Sequence, residues 1–337
     1  MGNFTNVLKY VIKRLLLSCL IILGVSLIIY FLIRLMPTDY IDNQFQAQVA
    51  SGAITQADLD NIKKLYGLGD NTFAGIMSGY LGWLGGVLQG DMGVSWKYGD
   101  EVTAIIGDHM GISFGISFVS LILQMIIAIP LGIKCACNQY GKFDYVVTVI
   151  CMVCMAFPSF FIGNLLIKWF AVDLGWFETG GLVSAGLMNP TWFEKTTDMI
   201  WHLILPMIVL VLLSVGGLMR YTRTNTLEVL NADYIRTARA KGLSEKTVVY
   251  KHVFRNTLIP LVTQLAFILP SLFGGSMITE TVFAIPGIGQ MAYEALKVGD
   301  IPLAMGYNVF IATLTVIGIL LADLMYAVVD PRVKLGG

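Results

Sequence analysis

Six stretches of roughly twenty residues carry no charge at all: 15–33, 111–133, 145–167, 199–219, 257–279 and 301–322. About twenty apolar residues wound as a helix cross the ~30 Å hydrocarbon core of a bilayer. The six runs therefore predict an all-α, polytopic membrane helix bundle with six transmembrane helices. Composition agrees: 56% of the 337 residues are hydrophobic and 13% charged, against roughly 25% charged in soluble domains. A water-soluble or disordered chain is excluded. Pro130, Pro158, Pro206 and Pro270 fall inside the runs, and each is a predicted kink or a span-end proline without a role.

A seventh uncharged run, 71–90, contains Gly75, Gly79, Gly82, Gly85, Gly86 and Gly90. Its apolar residues recur at helical spacing. The expectation is a helix lying on the membrane surface, with Tyr80 and Trp83 at headgroup level.

The formal net charge is zero, but the sum hides a segregation. Six spans place the N-terminus, the 134–142 connection, the 220–256 loop and the tail on one side, with 15 Lys and Arg, eight of them in 220–256. The other side holds Asp39, Asp42, Asp58, Asp60, Asp70, Asp91, Asp100, Glu101 and Asp108. The positive-inside rule puts both termini in the cytoplasm. A seventh span would move the eight-charge loop outside, so 71–90 is not a span. The first run follows Lys13-Arg14 like a secretory leader. At 19 residues, with no close cleavage signal, it reads as a retained anchor. The expected organisation is a tail and first helix (1–36), an extracytoplasmic loop with short surface helices (37–110), and a core with five further spans (111–337).

Catalytic chemistry has no visible constellation. GxxxxGK[ST] is absent, so the chain has no phosphate cradle of that kind. Gly287-Ile-Gly289-Gln-Met-Ala292 matches a dinucleotide fingerprint in letters only, lying between two spans. His109, His202 and His252 are far apart and no HExxH occurs. Cys151-x-x-Cys154 sits in an apolar run, where cysteine packs as a small hydrophobe. No metal site and no enzyme activity are expected. Glu280 and Asp323 stand at span ends, where snorkelling or capping accounts for them more simply than transport chemistry.

The 220–256 loop is the most informative segment. Asp233 is positioned to cap a short helix on which Tyr234, Ile235 and Ala238 form a small apolar face beside a basic one. Gly242 then breaks it, and Ser244-Glu245 start a second helix towards span five. This shape suits insertion into a cleft on another protein; a basic loop on anionic lipid is the competing reading.

Here the sequence resembles the inner-membrane permease subunits of binding-protein-dependent ABC importers. Their signature reads Glu-Ala-Ala, three residues, Gly; here Arg236-Thr237-Ala238 precede Gly242 by the same spacing. The downstream half of the signature does not match at His252–Arg255. The sequence Asp233-Tyr-Ile-Arg-Thr-Ala-Arg-Ala-Lys-Gly-Leu-Ser244 is similar to the peptide-class branch. So are Leu84-Gly-Gly-Val-Leu-Gln-Gly90-Asp91-Met-Gly93-Val-Ser95, Glu280–Gly289 and Asp330-Pro331-Arg332. The resemblance covers nearly the whole chain.

It implies a type I importer fold and a role as the membrane-spanning subunit that passes di- or oligopeptides delivered by an extracytoplasmic binding protein. A nickel importer permease is the alternative within the class. Implied partners are a second, related permease, two ATPase subunits that hold ATP and Mg, and the binding protein. No cofactor is expected on this chain, and no nucleic-acid partner. Asp233, Tyr234, Arg236, Ala238, Arg239, Lys241 and Gly242 would contact the ATPase. Gln124, Asn164, Gln264 and Glu280 are candidates for the translocation path, with helix–helix hydrogen bonding as the plainer explanation of the polar residues within spans. A stand-alone secondary transporter is disfavoured, because the six runs contain no acid, Lys or Arg.

Overall fold

A computed structural model describes residues 2–36, 39–184, 186–187 and 190–329. Among them the secondary structure is helical, apart from one isolated bridge between Val94 and Glu101. The chain divides into two units, Met1–Gly111 with Gly287–Gly337, and Ile112–Pro286.

The first unit is built on two long helices, α1 (Gly2–Arg34) and α14 (Ile301–Val329), which pack along each other. Between them in sequence come α2 (Tyr40–Ala50), α3 (Gln56–Leu65), α4 (Phe73–Leu88), the first turns of α5 (Val102–Cys137) and α13 (Ile288–Val298). Local sequence explains where the short helices start. Asp39 with Asp42, and Thr55 with Asp58, form reciprocal capping boxes, and Thr72 caps α4 through the Gly75 N–H. Ile33, Ile41, Leu59, Ile76, Tyr80, Ile105, Met291 and Leu303 contribute to one core. Gly299 closes α13 in the left-handed region (φ 76°), with no room for a side chain beside the Asp39–Tyr40 backbone. Gly287, Gly289 and Ala292 start α13, with Gly289 and Ala292 buried; this is a helix N-terminus rather than a strand–helix crossover.

The second unit holds the rest of α5, α6 (Lys142–Ala156), α7 (Ser159–Leu166) continuing as a π-helix (Ile167–Asp173), and α8 (Trp192–Leu230). The short α9 (Asp233–Ala240) and α10 (Glu245–Thr247) follow. A second π-helix (Val248–Val253) leads into α11 (Phe254–Ile268), a 3-10 turn (Leu269–Leu272) and α12 (Met277–Val282). Cys135 and Cys151 are buried together with Ala128, Leu218, Met219 and Leu261, so they pack as apolar side chains.

Among the described residues, four single helices are long and apolar enough to cross a membrane: Ile12–Arg34 and Ile301–Leu320, and in full α5 and α8. They coincide with runs one, six, two and four. Run three is bent by 94° where α6 meets α7. Pro158 disfavours helix at the residue before it, and Phe157 is extended (ψ 138°). Pro130 and Pro206, by contrast, sit within unbroken α5 and α8. Run five is not one helix: α11 ends at Ile268 and passes into the 3-10 turn that contains Pro270, and Gly275 (φ 70°) precedes α12. α8 is 39 residues long and continues to Leu230, so residues 220–230 of the expected cytoplasmic loop extend the helix of run four.

The 71–90 run forms a single 16-residue helix, α4. Tyr80 is not at a surface. It is 4% exposed, its hydroxyl bonded to Ser26 Oγ (2.9 Å) and donating to Leu23 O (3.2 Å). The side chain of Asp323 and the Asp330–Arg332 ending lie outside the described residues.

Candidate functional site

The α8–α11 connection folds back on itself. On α9, Ile235 (0% exposed) and Ala238 (7%), three residues apart, turn inward onto Val248 and Val253, with Val229 and Leu230 at the margin. The helix is two turns long and could not persist alone; this small core holds it. Its end is a Schellman motif. Gly242 sits at φ 78°, Leu243 N–H reaches Ala238 O (3.4 Å) and Gly242 N–H reaches Arg239 O (2.9 Å). Ser244 then caps α10, accepting from Thr247 N–H.

The opposite face of α9 is cationic and open. Tyr234 is 50% exposed, and Asp233, Arg236, Arg239, Lys241 and Gly242 are exposed as well. Arg239 bonds Glu245 through two nitrogens (2.6 and 3.1 Å) across the Gly242 turn. That guanidinium holds the Glu245 carboxyl below the usual carboxylate range. The Asp233–Arg236 pair is 3.6 Å apart and almost fully in solvent, where such pairs contribute little.

Two expectations are corrected. Asp233 does not cap α9: Ala232 has the extended backbone of the N-cap (ψ 145°) with no side-chain cap, and Asp233 is the first helical residue. Its carboxylate still favours the positive end of the helix. Ala238 does not present a docking face, because the apolar stripe is spent on the chain's own π-helix. The other six candidate contacts remain outward. Sequence reasoning missed the brace formed by Glu245; its signal was an Arg and a Glu flanking the helix-breaking Gly242.

The four path candidates do not share one environment. Gln124 donates to Ser214 O (3.0 Å) and Asn164 to Phe160 O (2.8 Å), both backbone acceptors. Gln264 is exposed on α11. Glu280 is 2% exposed and accepts from Ser113 Oγ (2.8 Å) and Ser276 N–H (2.9 Å), so it ties α12 to α5. Phe283 after it is buried, and its carbonyl accepts from Gly181 N–H at 2.8 Å. A side chain at Gly180 would collide with that carbonyl.

In the first unit the 90–101 segment is equally pinned. Gly90, Gly93 and Gly99 are left-handed, and Asp91 Oδ1 accepts from Gly93 N–H (2.7 Å). Ser95 Oγ and Lys97 N–H donate to Asp300 Oδ2 (2.5 and 3.0 Å), while Asp300 Oδ1 caps α14 through Leu303 N–H (3.2 Å). Lys97 pairs with Glu294 and lowers the affinity of that carboxylate for a proton.

Residues 128–335 match the family described as the binding-protein-dependent transport system inner membrane component. The oligopeptide transport system permease protein AppB of Bacillus subtilis is 39% identical over 96% of this chain and 99% of its own length. A putative peptide permease protein of Brucella suis is 34% identical over 97% and 99%. The dipeptide transport system permease protein DppB of Alkalihalophilus pseudofirmus is 32% identical over the same shares. A solved chain of the MetNI methionine ABC transporter in an inward-facing conformation superposes with TM-score 0.50 at 18% identity, covering 68% of this chain and 97% of that one; it supports the fold alone. The multi-pass helical architecture and the family match agree, and the chain belongs to the inner membrane components of binding-protein-dependent transport systems.

Proposed function

We propose that this chain is the membrane-spanning subunit of an ATP-driven peptide importer, with substrate presented by an extracytoplasmic binding protein. The observation that carries the reading is the end-to-end likeness to relatives named for oligopeptide and dipeptide transport. In this reading the chain pairs with a second, related permease, and ATP and Mg sit on two separate ATPase subunits. α9 is the coupling element, and it docks with its Tyr234–Arg236–Arg239–Lys241 face. The charge bias orients that face and both termini to the cytoplasm. A two-helix segment held by its own core moves as one piece, as a rigid coupling between nucleotide state and the spans requires. Glu280 belongs to the packing between α12 and α5 rather than to the path.

The test is purification in mild detergent followed by uptake in reconstituted vesicles. Expected are an ATPase pair, a second permease, and ATP-dependent uptake of a labelled di- or oligopeptide only when the binding protein is present. Uptake of nickel but not peptide would move the substrate assignment to the alternative. Transport by this chain alone, without nucleotide, would overturn the reading.

A further inference from the structure

We propose that α4 is sunk into the outer leaflet beside α1, with the edge formed by Phe73, Leu81 and Leu88 resting against lipid acyl chains. The segment 71–90 is uncharged and bounded by Asp70 and Asp91. Its start is fixed at the outer end of α1, because the buried Arg34 donates to Asp70 O (2.8 Å) and the Phe31 and Phe73 rings lie 5.4 Å apart. Two turns later the helix is deeper. Gly79 sits against the Tyr30 hydroxyl with no space for a side chain, and Tyr80 bonds Ser26 and the Leu23 carbonyl. Leu23 and Ser26 lie roughly 12–16 Å down α1 from Arg34 at 1.5 Å per residue. That depth is near the middle of the uncharged run 15–33. Even with the reach of a tyrosine side chain, α4 at Tyr80 is below the level of Arg34. Pairing the Tyr80 and Ser26 hydroxyls is what a polar group in hydrocarbon requires.

Among the described residues, nothing covers one edge of the helix. Phe73 is 70%, Leu81 58% and Leu88 80% exposed. Leu20, Ile28 and Leu32 of α1 are 61–70% exposed in the same way, and α1 crosses the membrane. The open edge of α4 is therefore apolar in the same way as the span it packs against. In water it would be a liability of the kind that marks an interaction surface.

The proposal rests on the orientation given above, and cysteine labelling tests both. All five native cysteines lie in α1, α5 and α6, so the unsubstituted chain in intact cells provides the background. Leu65→Cys, at a position 86% exposed on α3, and Leu81→Cys are treated from outside with a membrane-impermeant maleimide. Thiolate is the reactive form and an apolar site suppresses it. We expect Leu65→Cys to label at least ~10-fold faster, a factor that one unit of thiol pKa alone would supply, with or without the partner subunits. Equal rates would place Leu81 in water and overturn the insertion. Rapid labelling of Leu81→Cys only when the partner subunits are absent would make a protein the occupant and overturn the lipid assignment. Labelling of Leu65→Cys only in inverted vesicles would overturn the orientation and, with it, the outer leaflet.

Discussion

α4 and α9 are both short helices outside the long spans, yet opposite chemistry decides what each leaves exposed. α9 turns Ile235 and Ala238 inward and shows Tyr234, Arg236, Arg239 and Lys241. α4 turns Ile76 and Tyr80 inward and shows Phe73, Leu81 and Leu88. Each buries an apolar stripe on its own chain. The partner is therefore read from the remaining face: cations and a tyrosine suit a protein surface, and bare aliphatic and aromatic carbon suits lipid.

The largest effect should come from placing a charge in the core under α9. Ile235→Asp buries an unpaired carboxylate, which costs several kcal/mol at a site of 0% exposure. Coupled ATP hydrolysis should be lost while membrane insertion, followed by fractionation, is unchanged. Phe73→Asp on α4, at a 70% exposed position, would be harmless in water; in the outer leaflet it should reduce the folded yield and thermal stability.

Gly242→Val comes next. A β-branched residue is strained at φ 78°, and a cost of about 1–2 kcal/mol should loosen the turn, seen as faster amide exchange in α9 and lower coupled ATPase activity. Tyr80→Phe removes the bonds to Ser26 and Leu23, each of a kind that averages ~0.6 kcal/mol in membranes. A small drop in melting temperature is expected, with activity kept.

The smallest effect concerns the brace of Arg239 and Glu245. The carboxyl pKa is depressed in the folded chain, so its contribution is present above the unfolded value of about 4.3 and lost as pH falls through the lower folded value. Glu245 is 61% exposed, which keeps the term below about 1 kcal/mol. Amide exchange in α9 should accelerate below that pH, and Glu245→Gln should remove this pH dependence.

Much of the plan was legible because bilayer thickness imposes a length on sequence. Runs one, two, four and six are long helices, and Gly242 and Ser244 mark the turn where they were expected. What was illegible depended on contacts far apart in sequence. Nothing near Tyr80 announces Ser26 as its partner, so the burial of that side chain against α1 was not legible. Ala238 was assigned outward because an apolar stripe does not say whether its partner is another protein or Val248 and Val253 of the same chain. The break in run five was signalled by Pro270 and Gly275, but an uncharged run outweighed them.

The most direct test is disulfide cross-linking between α9 and the ATPase subunit in the assembled transporter. Tyr234→Cys and Ala238→Cys are each paired with a scan of cysteines in the ATPase. The outward-facing account predicts cross-links from position 234 that change with nucleotide, and none from position 238. Cross-links from 238 with none from 234 would contradict it.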